Sequence, residues 1–250
     1  PAGAAEIQQD ETPQLDKAAW HGVAVYADQT EGEIHPVTYE LVGKARELAA
    51  VIGQPVYVLL AGSGMARAAE RLRFYGANKI FVYDAPQLEH FRCEPYTAVF
   101  EHFIHTVKPG SILIGATTVG RQLAPRVAAR MKTGLTADCT VLEMNENSDL
   151  SQIRPAFGGN IMAHIKTPNH RPQMATVRYK VMSAPQRADA PGGEIVPLSC
   201  AGLDLSSGVE VLRVVRKEPE QFIESADVLV AAGRGIKKEE DLALLQELAD

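Results

Sequence analysis

Short apolar runs alternate with helical segments along the first half of this chain, and that alternation constrains the fold more than any other feature. The runs are residues 22–26 (Gly-Val-Ala-Val-Tyr), 56–61 (Val-Tyr-Val-Leu-Leu-Ala), 79–83 (Lys-Ile-Phe-Val-Tyr) and 111–116 (Ser-Ile-Leu-Ile-Gly-Ala). Runs this short, rich in β-branched and aromatic residues, predict strands buried on both faces. Between the first two, Val37, Leu41, Val42, Ala45, Leu48 and Ala49 fall on one face of a helix over 37–52. Further helices are predicted over 65–75, 95–107 and 121–132, with Gly53, Gly76 and Gly110 as stops. The pattern predicts a doubly wound α/β fold, a mostly parallel sheet with helices on both faces. Ligands of such sheets lie beyond the carboxyl ends of the strands. That end carries Gly62-Ser63-Gly64 and the loop from Gly115 to Gly120.

After Lys132 the texture changes. Segments 137–144, 152–156, 160–166 and 174–181 predict strands and are read as an antiparallel extension of the sheet. Residues 183–193 read as loop, and 194–198 and 209–216 as two more strands. Near the end a strand over 226–232, a turn at Gly233-Arg234-Gly235 and an amphipathic helix over 238–249 follow one another. Three such pieces bury no core alone, so they read as the opening of a second nucleotide-binding domain whose remainder is absent. The expected layout is a polar tail over residues 1–18, an α/β domain over 19–218, and a linker with that opening over 219–250. Both ends read as cuts.

Several classes of function are excluded. A net charge of −6 argues against nucleic acid as the main partner. No apolar run approaches the roughly 20 residues of a membrane span, and no secretion signal is present. Cys93, Cys139 and Cys200 are isolated, without zinc, cluster or disulfide spacing, so a reducing, cytoplasmic setting is expected. His102 and His105 share a helix without further ligands and read as packing or surface residues. No nucleophile–histidine arrangement stands out, which favours a cofactor carrier over a self-sufficient enzyme.

Three groups of residues are candidates for a site. The loop Gly115-Ala-Thr-Thr-Val-Gly120 precedes a helix, where free amides and the dipole suit an anion. It lacks both the Walker and the dinucleotide signatures, and a tight turn that packs helix on sheet explains it equally well. Arg126 and Arg130 share a face of the following helix, and acidic partners on a solvated face are the plain account. Arg121, at the helix N-terminus, opposes the dipole and calls for an anion. Arg154, Phe157, Gly158, Gly159 and Arg178 form the third group. The glycines permit close approach of a planar ring, or simply a hairpin turn with salt-bridged arginines beside it.

Residues 115–130, 133–140, 154–160, 171–178 and 228–236 together resemble the α subunit of electron transfer flavoproteins. The resemblance implies an electron carrier paired with an electron transfer flavoprotein β subunit. It implies an FAD on a C-terminal domain, of which Gly233, Arg234 and Gly235 are the first contacting turn and the later motifs are missing. It also implies AMP, or a second FAD in bifurcating members, in the β subunit. The N-terminal domain then packs on that subunit, with Arg154, Phe157, Gly158, Gly159 and Arg178 at the flavin or subunit interface. Gly115 to Gly120 becomes the counterpart of the β nucleotide loop, without a nucleotide of its own. A flavin dehydrogenase of the acyl-CoA dehydrogenase type, or NADH, is the implied donor. Tyr179-Lys180 stands where the common pattern has proline, and resembles the electron-bifurcating branch, whose acceptors include ferredoxin. The alternative is a universal-stress-type nucleotide-binding protein with ATP on Gly115 to Gly120. A third reading is a scaffold that only docks the β subunit.

Overall fold

The computed structural model describes residues 15–215, 226 and 228–249. The chain divides into two compact units, after Glu210. In the first unit the elements follow one another as β1 (Val23–Ala27), β2 (Gln29–Thr30), β3 (Glu33–Ile34), α1 (Pro36–Ile52), β4 (Val56–Gly62), α2 (Ala66–Leu72) and β5 (Lys79–Asp84). Then come α3 (Cys93–Val107), β6 (Ser111–Gly115), α4 (Thr118–Arg130), β7 (Leu135–Cys139), β8 (Val141–Met144), β9 (Leu150–Ala156), β10 (Ile161–Ile165), β11 (Gln173–Val177) and β12 (Glu194–Pro197).

Seven strands form one sheet in the order β12-β5-β4-β1-β6-β11-β7, and every ladder in it is parallel. The two-residue period of a strand sorts each strand's side chains between two cores. Val23, Val25 and Ala27 join α1, α2 and the first core; Ala24 and Tyr26 join α3, α4 and the second. The predicted face of α1 lies wholly in the first core. Pro36 opens α1, and the left-handed Gly53 closes it.

The antiparallel part of the sequence reading needs correction in its placement. β8, β9 and β10 form a separate three-stranded antiparallel sheet and do not extend the large one. The span 137–144 breaks at Thr140 into β7 and β8, which pair in different sheets, and Asp138, φ 58°, sits at an irregularity within β7. The span 174–181 does not join the antiparallel set; β11 inserts between β6 and β7 and runs parallel to both. Residues 209–215 and the described residues of 226–232 form no strand, since neither stretch has a ladder partner among the described residues. Arg216 and Asp227 lie outside the described residues. In the second unit the structure describes a turn at Gly233–Ile236, a 3-10 turn at Glu239–Asp241 and one helix, α5 (Leu242–Ala249), with no buried residue on it.

A buried ion cluster ties the start of the fold to the small sheet. The Arg171 guanidinium, 1% exposed, donates to Asp149 at 2.8 Å and to the carbonyls of Ser148, Thr167 and His170. Lys17 reaches the same carboxylate, at 2.8 Å and 2.9 Å. Lys17 is therefore anchored, whereas the sequence placed it in a loose polar tail. Burial alone would push the Asp149 carboxyl up, but Lys17 and Arg171 together hold it below the usual range. Removing the charge strands a buried guanidinium, so Asp149→Asn is expected to cost about 3 kcal/mol near pH 7. A lowered folded-state pKa stabilises above the unfolded value of about 3.9 and loses that contribution as pH falls through the folded value. The gap between wild type and Asp149→Asn should therefore shrink below about pH 4. Urea titrations of both proteins at neutral and acid pH measure this.

Candidate functional site

Each glycine loop at the carboxyl end of the parallel sheet is engaged by a carboxylate of the chain, Asp84 through backbone amides and Asp28 through the Thr117 hydroxyl. Asp28 directly follows β1 and is 5% exposed. It accepts a short hydrogen bond from the Thr117 hydroxyl, and Thr117 caps α4, accepting from the Gly120 amide at 3.1 Å. The Asp28 backbone is held too: its N–H donates to Thr38 at 3.1 Å, and its carbonyl accepts from His35 N–H at 2.8 Å. Burial pushes the Asp28 carboxyl above the usual carboxylate range, and Thr117, His35 and the Gln29 amide pull it only partway back. On the neighbouring loop Asp84, at the end of β5, accepts from the Gly64 and Met65 amides at 2.8 Å each.

The loop from Gly115 to Gly120 is also tightly packed. A Cβ at Gly120 would lie 1.9 Å from the Gly115 carbonyl oxygen, and one at Gly115 would lie 2.6 Å from Val37. Of the two accounts of this loop, the packing turn is the one the geometry supports. Arg121 finds its anion inside the chain, pairing with Asp138 at 3.1 Å and donating to the Ala116 carbonyl. Arg126 pairs with Glu94 and Arg130 with Glu101. His102 meets the Tyr83 hydroxyl at 2.6 Å. No cluster of potential metal ligands occurs among the described residues.

The third candidate group lies on the small sheet and beside it. Phe157, Gly158 and Gly159 form the turn between β9 and β10, all three with left-handed backbone. Phe157 is 82% exposed, and the edge strand β10 exposes Ile161 and Met162, one on each face of the small sheet. Arg154, on β9, lies close enough to Cys139 to lower its thiol pKa, although burial dominates and raises that pKa to about 12. Arg178 follows β11, and its N–H donates to the Cys139 carbonyl at 3.3 Å. The fold thus brings both Arg154 and Arg178 near Cys139, and neither side chain has an ion pair among the described residues. The alternative account of these two arginines, as salt-bridged residues, finds no ion pair among the described residues.

An electron transfer flavoprotein domain matches residues 23–201. The chain belongs to the electron transfer flavoprotein α family. It is 42% identical over 240 residues to an electron transfer flavoprotein subunit alpha of Megasphaera elsdenii, covering 94% of this chain and 71% of that one. It is 56% identical over 250 residues to a lactate dehydrogenase (NAD(+),ferredoxin) subunit LctC of Acetobacterium woodii. All of this chain but only 60% of that protein is spanned. Protein FixB of Azorhizobium caulinodans is 38% identical over 253 residues, 99% of this chain and 68% of its own. The family match sets aside the universal-stress-type alternative. No helix among the described residues is long and apolar enough to cross a membrane.

Members of this family are flavoproteins, so the residues present can be tested for fit. Gly233, Arg234 and Gly235 form a turn in which the Ile236 N–H donates to the Gly233 carbonyl at 3.1 Å. Nothing lies within 4 Å of a Cβ built at Gly233 or Gly235, and all three residues are exposed. An open turn beside one helix encloses no flavin, so this chain's described residues do not by themselves make the FAD site.

Sequence reasoning missed Asp28, Asp84 and the capping role of Thr117. The signal was available: each aspartate directly ends an apolar strand, at the position facing a glycine loop. A carboxyl with a raised folded-state pKa gains a proton on folding, so wild-type stability should rise as pH falls from neutral towards the unfolded value near 4. Asp28→Asn removes that titration while keeping an oxygen for Thr117. Its stability near pH 8 should match or exceed wild type within about 1 kcal/mol, and the difference should reverse towards pH 5. Asp28→Ala, which leaves Thr117 without an acceptor, should cost about 1–3 kcal/mol at either pH. Chemical denaturation across pH reads all three proteins.

Proposed function

We propose that this chain is the docking part of an electron-carrier subunit. With an electron transfer flavoprotein β subunit it forms a heterodimer that passes electrons through flavins. The donor is a flavin dehydrogenase, of the acyl-CoA dehydrogenase type, or NADH. The observation that carries the reading is its 56% identity, over its full length, to a relative whose name couples NAD(+) with ferredoxin. That coupling supports flavin-based bifurcation, with a second FAD rather than AMP in the β subunit and ferredoxin as an acceptor.

The geometry supports the same reading. The chain's own crevice is filled by Asp28 and Asp84, so its redox cofactors belong elsewhere. Arg154 and Arg178 are free of acidic partners among the described residues, and the turn that follows Arg154 on the chain exposes Phe157. On this reading Arg154, Phe157, Gly158, Gly159 and Arg178 face the β subunit and its flavin. Gly233, Arg234 and Gly235 begin the contact with the α-side FAD, most of whose site lies outside this chain. The protein contributes orientation and charge; the electron chemistry is the flavin's own.

The test is a complete α/β heterodimer in which the α subunit carries its whole FAD site, with flavin content, spectrum and melting temperature measured together. Gly158→Val is the informative variant. The backbone at Gly158 is left-handed, φ 71°, with nothing within 4 Å of a built Cβ, so valine meets strain but no clash within the chain. The strain costs about 1–2 kcal/mol. The expected result is a folded heterodimer that loses the second flavin, or its reduction by NADH, and keeps the first. A colourless heterodimer in wild type, or a Gly158→Val protein whose second flavin still reduces normally, would overturn the reading.

A further inference from the structure

Gln152 is the one fully buried side chain among the described residues whose amide has neither polar atom bonded. It sits in the middle of β9, flanked by Leu142 of β8 and Ile165 of β10. Strand alternation puts Leu150, Gln152 and Arg154 on one face. Leu142 and Leu150 belong to the first core, so this is the face that packs inward. Gln152 therefore lies where that face leaves the core, and Arg154 is the next residue outward on it.

A buried amide with no partner destabilises a fold, and such groups usually serve a purpose the rest of the chain does not reveal. The neighbour two residues along on the same face is a guanidinium, also without a hydrogen bond or ion pair among the described residues. The separation of i and i+2 on one strand face is about 7 Å, which two long side chains can bridge. A carboxylate at position 152 would cancel the charge of Arg154. A leucine would fill the space and offer no acceptor. Glutamine supplies an oxygen acceptor while leaving the positive charge intact.

We propose that Gln152 is a positioning residue for Arg154: its amide oxygen accepts one guanidinium N–H when the β subunit docks, and so sets the direction of the others. The remaining N–H groups then point at an anionic group of the partner's flavin. The inference rests on the reading of Arg154 as facing that flavin. It adds a specific role for a residue that touches neither the flavin nor the partner.

The experiment uses the complete α/β heterodimer and compares Arg154→Ala, Gln152→Leu, Gln152→Glu and the double variant Gln152→Leu/Arg154→Ala. Flavin retention, the reduction potential of the partner's flavin and the melting temperature are read on each. Gln152→Leu should melt at or above the wild-type temperature, because it removes two unbonded buried atoms. It should nonetheless weaken retention of the partner's flavin about tenfold, the scale of one charge-assisted hydrogen bond, or shift its potential in the direction of Arg154→Ala. The double variant should match Arg154→Ala. Gln152→Glu should shift the potential in the same direction. If Gln152→Leu does not fold, Gln152→Met keeps the length without an amide and takes its place. A flavin disturbed by Arg154→Ala but unaffected by Gln152→Leu would overturn the positioning role and leave the reading of Arg154 standing. So would effects that simply add in the double variant. A flavin indifferent to Arg154→Ala would overturn both.

Discussion

The hydrogen bond from Thr117 to Asp28 ties the start of α4 to the end of β1, and the shape of the sheet's carboxyl end depends on it. In a doubly wound sheet the amides at the start of a helix beyond a strand end attract an anion. Here the anion is covalently part of the chain. Asp28 is delivered by β1 and meets the N-cap of α4 at the neighbouring strand β6. The loop then has no room to open, because Gly120 rests directly on the Gly115 carbonyl. Taking a carboxylate out of water costs stability, which is why its proton affinity is raised. What results is a crevice whose geometry is fixed without a ligand.

The small antiparallel sheet depends on a different kind of anchoring. Its base is held by Arg171, Asp149 and Lys17, and by Gln173, which accepts from the Leu150 N–H at 3.0 Å and donates to the Ser148 carbonyl at 3.0 Å. Its tip is a left-handed turn with an exposed aromatic ring. A polar, buried base and an apolar, exposed tip suit a projection that must hold its shape until a partner covers it. The β10 edge points the same way, since an edge strand with exposed apolar residues is one that native proteins otherwise protect.

The large sheet was legible because its strands are buried on both faces and its helices carry one apolar face each. Those are the patterns that sequence periodicity reports. The order of strands after Lys132 was not. β11 carries five buried residues like any central parallel strand, but it follows three antiparallel strands in the chain and was grouped with them. Nothing local distinguishes the two cases; only the long return from β10 places it beside β6. The strands expected over 209–216 and 226–232 failed for a related reason, because alternation specifies a face and not a neighbour. At the site, the arginines were found by type, but their partners were not. Asp138 lies 17 positions from Arg121 and Glu94 lies 32 from Arg126, so pairing depended on tertiary structure.

Those pairings redistribute charge across the carboxyl end of the sheet. The Thr117 cap, the Gly64 and Met65 amides and Arg121 each draw an acid from within the chain: Asp28, Asp84 and Asp138. Each pairing removes attraction for an outside anion from the carboxyl end of the sheet. Arg154 and Arg178, beside β7 and β11 at the sheet's edge, keep theirs. The positive charge left without an acidic partner among the described residues thus sits at Arg154 and Arg178 rather than at the helix N-terminus beyond β6, where Thr117 caps α4 and Asp28 takes the Thr117 hydroxyl.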